Sequence, residues 1–187
     1  MSIMEPVEPQ SPLEVSLRDE ALKFGNQNIK LSLIKDIPSL KIGSVEVKES
    51  KVGEMIEVPR WASDILCNMG FGERENDMGV ELFKALTLER IQPPTQLSGL
   101  PVNFYFKLQS YIQNFSTSSA TKEADFEKVT NSARGIIALR ISKLLCLAGL
   151  SSPPVDVRSI TPEEKILYDN VRGLVSHWKE SMVEKRT

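Results

Sequence analysis

The spacing of the apolar residues changes near residue 74 of this 187-residue chain, and no other feature limits its fold as much. Before that point apolar and polar residues alternate, as they do around Leu31 and Leu33, and this is the period of a half-buried strand. Beyond it apolar residues recur with the period of a helix. The pattern predicts an α+β chain, with a small β-rich domain at residues 1–74 and an all-α helical bundle domain at residues 75–187.

About four or five short strands are expected between residues 12 and 57. Besides the run around Leu31, residues 13–17 and 45–47 alternate in the same way. Glycine-containing turn sequences separate these runs, at Phe24-Gly25-Asn26, Ile42-Gly43-Ser44 and Lys51-Val52-Gly53. So small a sheet needs a helix to cover its apolar face.

That covering helix is predicted directly after the last strand. Pro59 suits a first helical turn, where no N–H is needed, and Trp61 and Leu66 follow at helical spacing. The helix is expected to end before Gly70. Residues 70–79 are rich in glycine and charge, so we expect them to form a linker.

The second half of the chain is expected to consist of helices. They are predicted at residues 80–91, 101–115 and 122–148, and from residue 161 onward, with a polar break at residues 116–121. The start of the last helix has the clearest signal, Thr161-Pro162-Glu163-Glu164. It combines an N-cap residue, a proline at the first position and acidic residues near the positive helix end.

Composition excludes several classes of protein. The formal net charge of −2 excludes a strongly basic protein that coats nucleic acid. One histidine, His177, and two separated cysteines, Cys67 and Cys146, cannot easily build a zinc site or a relay of several imidazoles. Both cysteines are expected to be small buried hydrophobic residues, and His177 is expected to be an exposed or packing residue in a helix.

No motif in the sequence predicts catalysis. Gly70-Phe71-Gly72 lacks both the third glycine and the preceding strand of a dinucleotide site, and a GxxxxGK phosphate loop is absent. The acidic pair Glu163-Glu164 is explained as solvated charge at a helix start. We therefore expect a non-enzyme with no catalytic, cofactor or metal site. An enzyme built on Cys67 or Cys146 is the weaker alternative.

The helix predicted at residues 101–115 carries more apolar surface than one packing face needs. Phe104, Tyr105 and Phe106 are consecutive and point to three sides of the helix. Such a helix is either the central one of its domain or part of a subunit interface with aromatic anchors. The predicted interface residues, on this helix and the long helix, are Phe104, Tyr105, Leu108, Tyr111, Ile112, Ile137, Arg140 and Leu144.

Residues 128–154, most of which lie in the predicted long helix, contain no acidic residue. Their four basic residues are Lys128, Arg134, Arg140 and Lys143. Residues of this kind contact phosphates in a DNA-facing helix. They also fit a helix whose second half favours cations, or arginines that pair with the carboxylates of another subunit, and these two interpretations are preferred over contact with DNA. These alternatives stay open, so a stand-alone DNA-binding module is the second functional hypothesis.

The succession of these segments resembles the subunits of the GINS complex of the replicative helicase. The likeness covers about residues 28–180 and rests on domain order and four segments: Val58-Pro59-Arg60-Trp61-Ala62, Leu100-Pro101-Val102-Asn103-Phe104-Tyr105, residues 134–144, and Ile160-Thr161-Pro162-Glu163-Glu164. The chain is similar to the archaeal class related to the second and third Psf proteins, which has the β domain first and the helical domain second. Ala62 departs from the leucine often found at that position.

This resemblance implies an assembly role. GINS subunits form tetramers, with two copies of each of two subunits in archaea or four different chains in eukaryotes, and their helical domains form the body. The complex bridges the MCM helicase and a RecJ-like or Cdc-type factor, and it has no known active site. The resemblance thus implies a non-catalytic scaffold and helicase accessory factor in the initiation and elongation of DNA replication. Its partners would be another GINS subunit, MCM and the RecJ-like or Cdc-type factor, with at most weak contact with DNA.

The sequence gives no sign of a membrane association. No apolar run approaches the roughly 20 residues that cross a bilayer. The first residues carry acids and prolines instead of the basic and apolar regions of a signal peptide. We expect an intracellular protein, in the cytoplasm or nucleoid if archaeal and in the nucleus if eukaryotic.

Overall fold

The computed structural model describes residues 11–74, 78–117, 123–150 and 159–183. The predicted α+β class is confirmed, because the strands lie early in the chain and helices follow them. Within the described residues the elements are, in order, α1 (Pro12–Gly25), β1 (Asn28–Leu33), β2 (Leu40–Ile42), β3 (Val45–Val47), β4 (Met55–Pro59), α2 (Arg60–Asn68), β5 (Gly72–Glu73), α3 (Met78–Ile91), α4 (Phe104–Thr117), α5 (Glu123–Gly149) and α6 (Pro162–Val183).

The main sheet is antiparallel, with β1 between β4 and β5. Asn28 lies opposite Pro59 and Ser32 lies opposite Met55, so β4 pairs with most of β1. The strands β2 and β3 form a separate hairpin whose turn contains Gly43 with a φ of +58°. Glycine adopts that left-handed conformation without the steric cost of a Cβ atom.

The predicted covering helix is confirmed as α2. Its Ala62 and Leu66 are fully buried and pack in one cluster with Leu31, Leu33 and Val58 of the sheet. The backbone N–H of Gly70, which has a φ of +72°, donates to the carbonyl of Cys67, so the helix ends where its C-terminal glycine predicts.

The strand predicted at residues 13–17 is wrong, because α1 spans this run. Ser11 Oγ accepts from the Glu14 N–H at 3.2 Å, and Glu14 Oε2 accepts from the Ser11 N–H at 2.9 Å. This reciprocal arrangement is a capping box, and Pro12 occupies the first helical position. These start signals prevail over a short alternation of apolar residues that a solvent-facing helix also tolerates.

The linker predicted at residues 70–79 is partly wrong. Gly72 pairs with Leu33 in strand β5, and α3 already begins at Met78. A Cβ atom at residue 72 would lie 2.8 Å from Leu31 Cγ, so the strand can approach β1 this closely only with glycine. Residues 75–77 lie outside the described part of the chain.

The predicted helices of the second half are confirmed as α3 to α6, with small shifts at their ends. The helix α4 continues to Thr117, so the polar break begins later than residue 116. Residues 118–122, the rest of that break, lie outside the described residues.

The described residues form two compact units, each built from separate parts of the chain. Unit 1 comprises residues 11–20, 85–104, 134–150 and 159–183, and unit 2 comprises residues 21–74, 78–84, 105–117 and 123–133. Residue 74 lies inside unit 2. The division into a β-rich domain at residues 1–74 and a helical domain at residues 75–187 stays a prediction.

Candidate functional site

A buried arginine organises unit 1. Arg140 of α5 is fully buried, and each of its five N–H groups has a hydrogen-bond acceptor. Its Nε and Nη2 donate to the two carboxylate oxygens of Glu164 at 2.7 and 2.6 Å, which is the bidentate geometry that an arginine fork favours. The other donors reach Glu89 and the carbonyls of Ser98 and Ser159.

Lys143, one turn along α5, joins the same group of charges. Its Nζ lies 2.8 Å from Glu89 Oε1 and donates to the carbonyls of Glu89 and Gln92. Glu89 also accepts from the backbone N–H and the hydroxyl of Ser98. We call Glu89, Ser98, Arg140, Lys143 and Glu164 the buried charge cluster; its two positive and two negative charges balance.

The electrostatics of the buried charge cluster favour the ionised forms. Burial would raise the pKa of Glu89, but Lys143, Ser98 and Arg140 outweigh it and hold the pKa below its ordinary value. Burial would likewise lower the pKa of Arg140, but the hydrogen bonds and charges of Glu164 and Glu89 raise it. The charged forms of Glu89 and Arg140 are therefore favoured, and the contacts of the cluster tie α3, α5 and the start of α6 together.

The start of α6 supplies Glu164 to this cluster. Thr161 Oγ1 accepts from the Glu164 N–H at 3.3 Å, and Glu164 Oε2 accepts from the Thr161 N–H at 3.1 Å, as the sequence signal at Thr161 predicts. The solvated state predicted for Glu163 and Glu164 is wrong, since they are only 7% and 4% exposed. Both carboxylate oxygens of Glu163 are buried with no hydrogen-bond partner among the described residues.

The predicted contact of Arg140 and Lys143 with DNA or a partner is corrected by this geometry. Their donors are used by carboxylates and carbonyls of their own chain, which local spacing along α5 cannot reveal. Lys128 and Arg134 are exposed, so their contact with DNA or an acidic partner stays a prediction.

The predicted subunit interface is also partly corrected. Phe104, Leu108 and Leu144 are buried in the chain itself, as is Arg140, because α4 and α5 use these faces for the core. Tyr105, Tyr111 and Ile112 are half-buried. Of the predicted set, Ile137 is the most exposed residue, at 37%.

Two exposed apolar stripes lie on α5 and α6, and of their residues only Ile137 was predicted from the sequence as an interface residue. On α5, Ile137, Ile141 and Leu145 recur every fourth residue beside the buried face. On α6, Leu174, Trp178 and Met182 recur in the same way, with exposures of 71%, 61% and 63%. A count of the apolar residues on α5 could have found the first stripe, because they occupy more than one face.

The two cysteines and the histidine differ in burial. Cys67 is half-buried, and burial raises the pKa of its thiol, whereas Cys146 is exposed, contrary to the prediction that both are buried. His177 is exposed on α6, which is one of the two states predicted for it. In the described ranges no group of three or more His, Cys, Asp or Glu residues could hold a metal ion.

No described helix is both long and apolar enough to cross a membrane.

No protein-family model matches the chain, and no curated protein is significantly similar to it.

Proposed function

We propose that this chain is a non-catalytic subunit of the GINS complex, a scaffold and accessory factor of the MCM replicative helicase in DNA replication. The observation that carries the proposal is the apolar face of α6. In the first half of the helix, Leu167 and Val171 on this face pack against the buried Leu144 and Leu147 of α5. In the second half the same face continues as the exposed α6 stripe.

An uncovered apolar helix face is typical of a protein that assembles with another. Leu174, Trp178 and Met182 continue the spacing of Leu167 and Val171. One face of α6 therefore packs on the core in its first half and is free to bind another protein in its second half. Exposed apolar patches rimmed by polar residues mark interaction sites, and tryptophan is a frequent anchor in them. The occupant we propose is the helical domain of the other GINS subunit.

The buried charge cluster supports a rigid presentation of this face. The bidentate pair of Arg140 with Glu164 holds the first turn of α6 on α5, and Lys179 Nζ donates to the Gly149 carbonyl at 2.7 Å. A helix fixed at both points loses little conformational freedom on binding, which favours assembly. The α5 stripe at Ile137, Ile141 and Leu145 would widen the contact.

In this proposal the chain assembles as two copies beside two copies of its partner subunit, and the tetramer binds MCM and a RecJ-like or Cdc-type factor. The finer localisation follows from that role: cytoplasm or nucleoid in an archaeon, nucleus in a eukaryote.

Co-expression with a GINS partner subunit from the same organism tests the proposal. Size-exclusion chromatography with light scattering should give a defined tetramer for the natural chain. The variant Leu174→Ser/Trp178→Ala/Met182→Ser should lose the tetramer but keep its helical circular dichroism. The matched control Ser176→Ala/Glu180→Ala alters exposed residues on the opposite side of α6 and should assemble normally.

A soluble monomer that ignores the partner subunit would overturn the proposed function. Assembly that survives the triple variant would overturn the α6 stripe as its main contact.

A further inference from the structure

Unit 2 contains a cleft of about 290 Å³ whose described walls are unusually basic. It lies among β1, α2, the residue after β5, α3 and α4. Among its described lining residues, four are cationic, namely Lys30, Arg60, Arg74 and Lys107, and one is acidic, Glu81.

Arg60 packs on an aromatic ring in this cleft. Its guanidinium carbon lies 4.2 Å from the centre of the Phe24 ring, and Phe24 stacks on Phe106 with ring centres 5.4 Å apart. Stacking of this kind fixes a guanidinium plane while leaving its edge available for hydrogen bonds. The Arg60 Nε is buried and has no hydrogen-bond partner among the described residues.

The charges of the cleft are not balanced within its described lining. Arg74 is paired with Asp64 at 2.6 Å, so its charge is largely compensated. The other three cations share the lining with one carboxylate, Glu81, which leaves the lining an excess of two positive charges, while Glu57, opposite Lys30 on β4, lies outside it. Burial and the neighbouring Arg74 lower the pKa of Arg60, and together they outweigh the opposite effect of Asp64, which is paired with Arg74.

A buried donor without a partner is costly, and a dianion would satisfy it. A phosphomonoester carries a charge of about −1.5 to −2 at neutral pH and offers three acceptor oxygens, whereas a carboxylate carries about −1. The charge excess therefore favours phosphate over a single carboxylate. Arginine binds phosphate through its planar fork, and lysine binds it as a point charge.

The remaining walls suit a flat organic group beside that phosphate. Ile29, Met78 and the half-buried Tyr111 supply apolar and aromatic surface, and Ser110 and Asn114 supply polar atoms. The volume lies at the lower end of the range for small-ligand sites, about 300 to 1,000 Å³. We propose that this cleft binds the phosphomonoester end of a nucleotide, either free or at the terminus of a nucleic-acid strand, through Lys30, Arg60 and Lys107.

Calorimetric titration of the full chain tests this proposal with matched ligands. AMP should bind, adenosine should not bind measurably, and inorganic phosphate should bind more weakly than AMP. A short oligonucleotide with a 5′-phosphate and the same strand with a 5′-hydroxyl distinguish the two sources. Binding of the phosphorylated strand indicates a strand terminus, and its failure alongside AMP binding indicates a free nucleotide.

Variants then assign the residues. Lys30→Gln/Lys107→Gln should weaken AMP binding about tenfold or more, and Arg60→Lys, which keeps the charge but loses the fork, should weaken it several-fold. Lys41→Gln, an exposed lysine of β2 outside the cleft lining, is the matched control and should bind normally. Circular dichroism checks that each variant is folded.

Several results would overturn the proposal. These are an absence of AMP binding, equal affinity for adenosine and AMP, equal affinity for inorganic phosphate and AMP, tighter binding of an oligoglutamate peptide than of AMP, or an equal loss in Lys41→Gln. The proposed GINS role does not depend on this cleft, so loss of AMP binding by a variant that still forms the tetramer leaves that role intact.

Discussion

Each of the two units contains an arginine that is withdrawn from water, Arg140 completely and Arg60 in part, and the two arginines are held in opposite ways. Arg140 of unit 1 has an acceptor for every N–H group and two carboxylates for its charge. Arg60 of unit 2 rests on an aromatic ring, with a buried Nε that lacks a described partner. A buried charge that its own chain satisfies completely acts as structure. A charged group whose donors lack acceptors in its own chain, and which lies beside other cations, remains available to a ligand.

The two arginines differ in how much stability is lost when the charge is removed, which is not the same as the net stability gained from having a buried charge. Replacing a whole buried ion-pair group with well-packed apolar residues is often neutral, whereas removing one partner leaves the others buried and unpaired. Single substitutions therefore separate the two arginines most clearly.

The largest expected effect is that of Arg140→Ala. It leaves the carboxylates of Glu89 and Glu164 buried without their arginine, so the free energy of unfolding should fall by about 3–5 kcal/mol. Urea denaturation of the chain measures it. Arg134→Ala, an exposed arginine on the same helix, is the control and should change stability by less than about 0.5 kcal/mol. Equal effects of the two substitutions would contradict the structural role of Arg140.

Acidification should weaken the same cluster. Because the pKa of Glu89 is lowered in the folded chain, its contribution to stability is complete above its unfolded pKa of about 4.3 and is lost as the pH falls below it. Urea denaturation at several pH values between 7 and 3.5 should show this loss. In Glu89→Gln the fall with pH should be shallower, and an unchanged slope would assign the acid sensitivity to other carboxylates.

A smaller loss is expected for Arg60→Ala. The substitution removes a stacking contact with Phe24 but leaves no carboxylate of an ion pair buried, so stability should fall by about 1 kcal/mol. A loss as large as that of Arg140→Ala would show that Arg60 is also a structural residue. Adding AMP should raise the melting temperature of the natural chain more than that of the variant.

The smallest effect on stability is expected for Glu163→Gln, and it contrasts with the effect of the same substitution at the adjacent Glu164. Glu163→Gln removes a buried charge whose oxygens have no described partner, so stability should stay within about 0.5 kcal/mol or rise. Glu164→Gln, its matched comparison, breaks the bidentate pair with Arg140 and should cost about 2–3 kcal/mol. The same urea denaturation measures both, and a larger loss for Glu163→Gln would contradict the burial argument.

Local signals in the sequence predict the elements better than the site. The cap at Thr161 and the covering helix after Pro59 were predictable, because their residues lie within one or two turns of each other. The cap at Ser11 has the same pattern, with proline next and glutamate third, yet the alternation of residues 13–17 obscured it.

The partners of Arg140 could not be predicted in this way. Ser98 and Glu89 lie 42 and 51 residues before it, and Glu164 lies 24 residues after it. A basic run on one helix is compatible with a surface or a core, and tertiary packing decides between them. The exposed α6 stripe could not be predicted either, because its residues have the same spacing as the residues of the half of α6 that is covered.

The Glu164 carboxylate makes two interactions that depend on each other. It closes the first turn of α6 through Thr161 and also receives the Arg140 fork. Starting the helix and docking it on α5 are therefore one cooperative event, and neither is gained without the other. Mutations that loosen α5 near Arg140 should unravel the first turn of α6 as well. Amide hydrogen exchange would then report the two regions opening together.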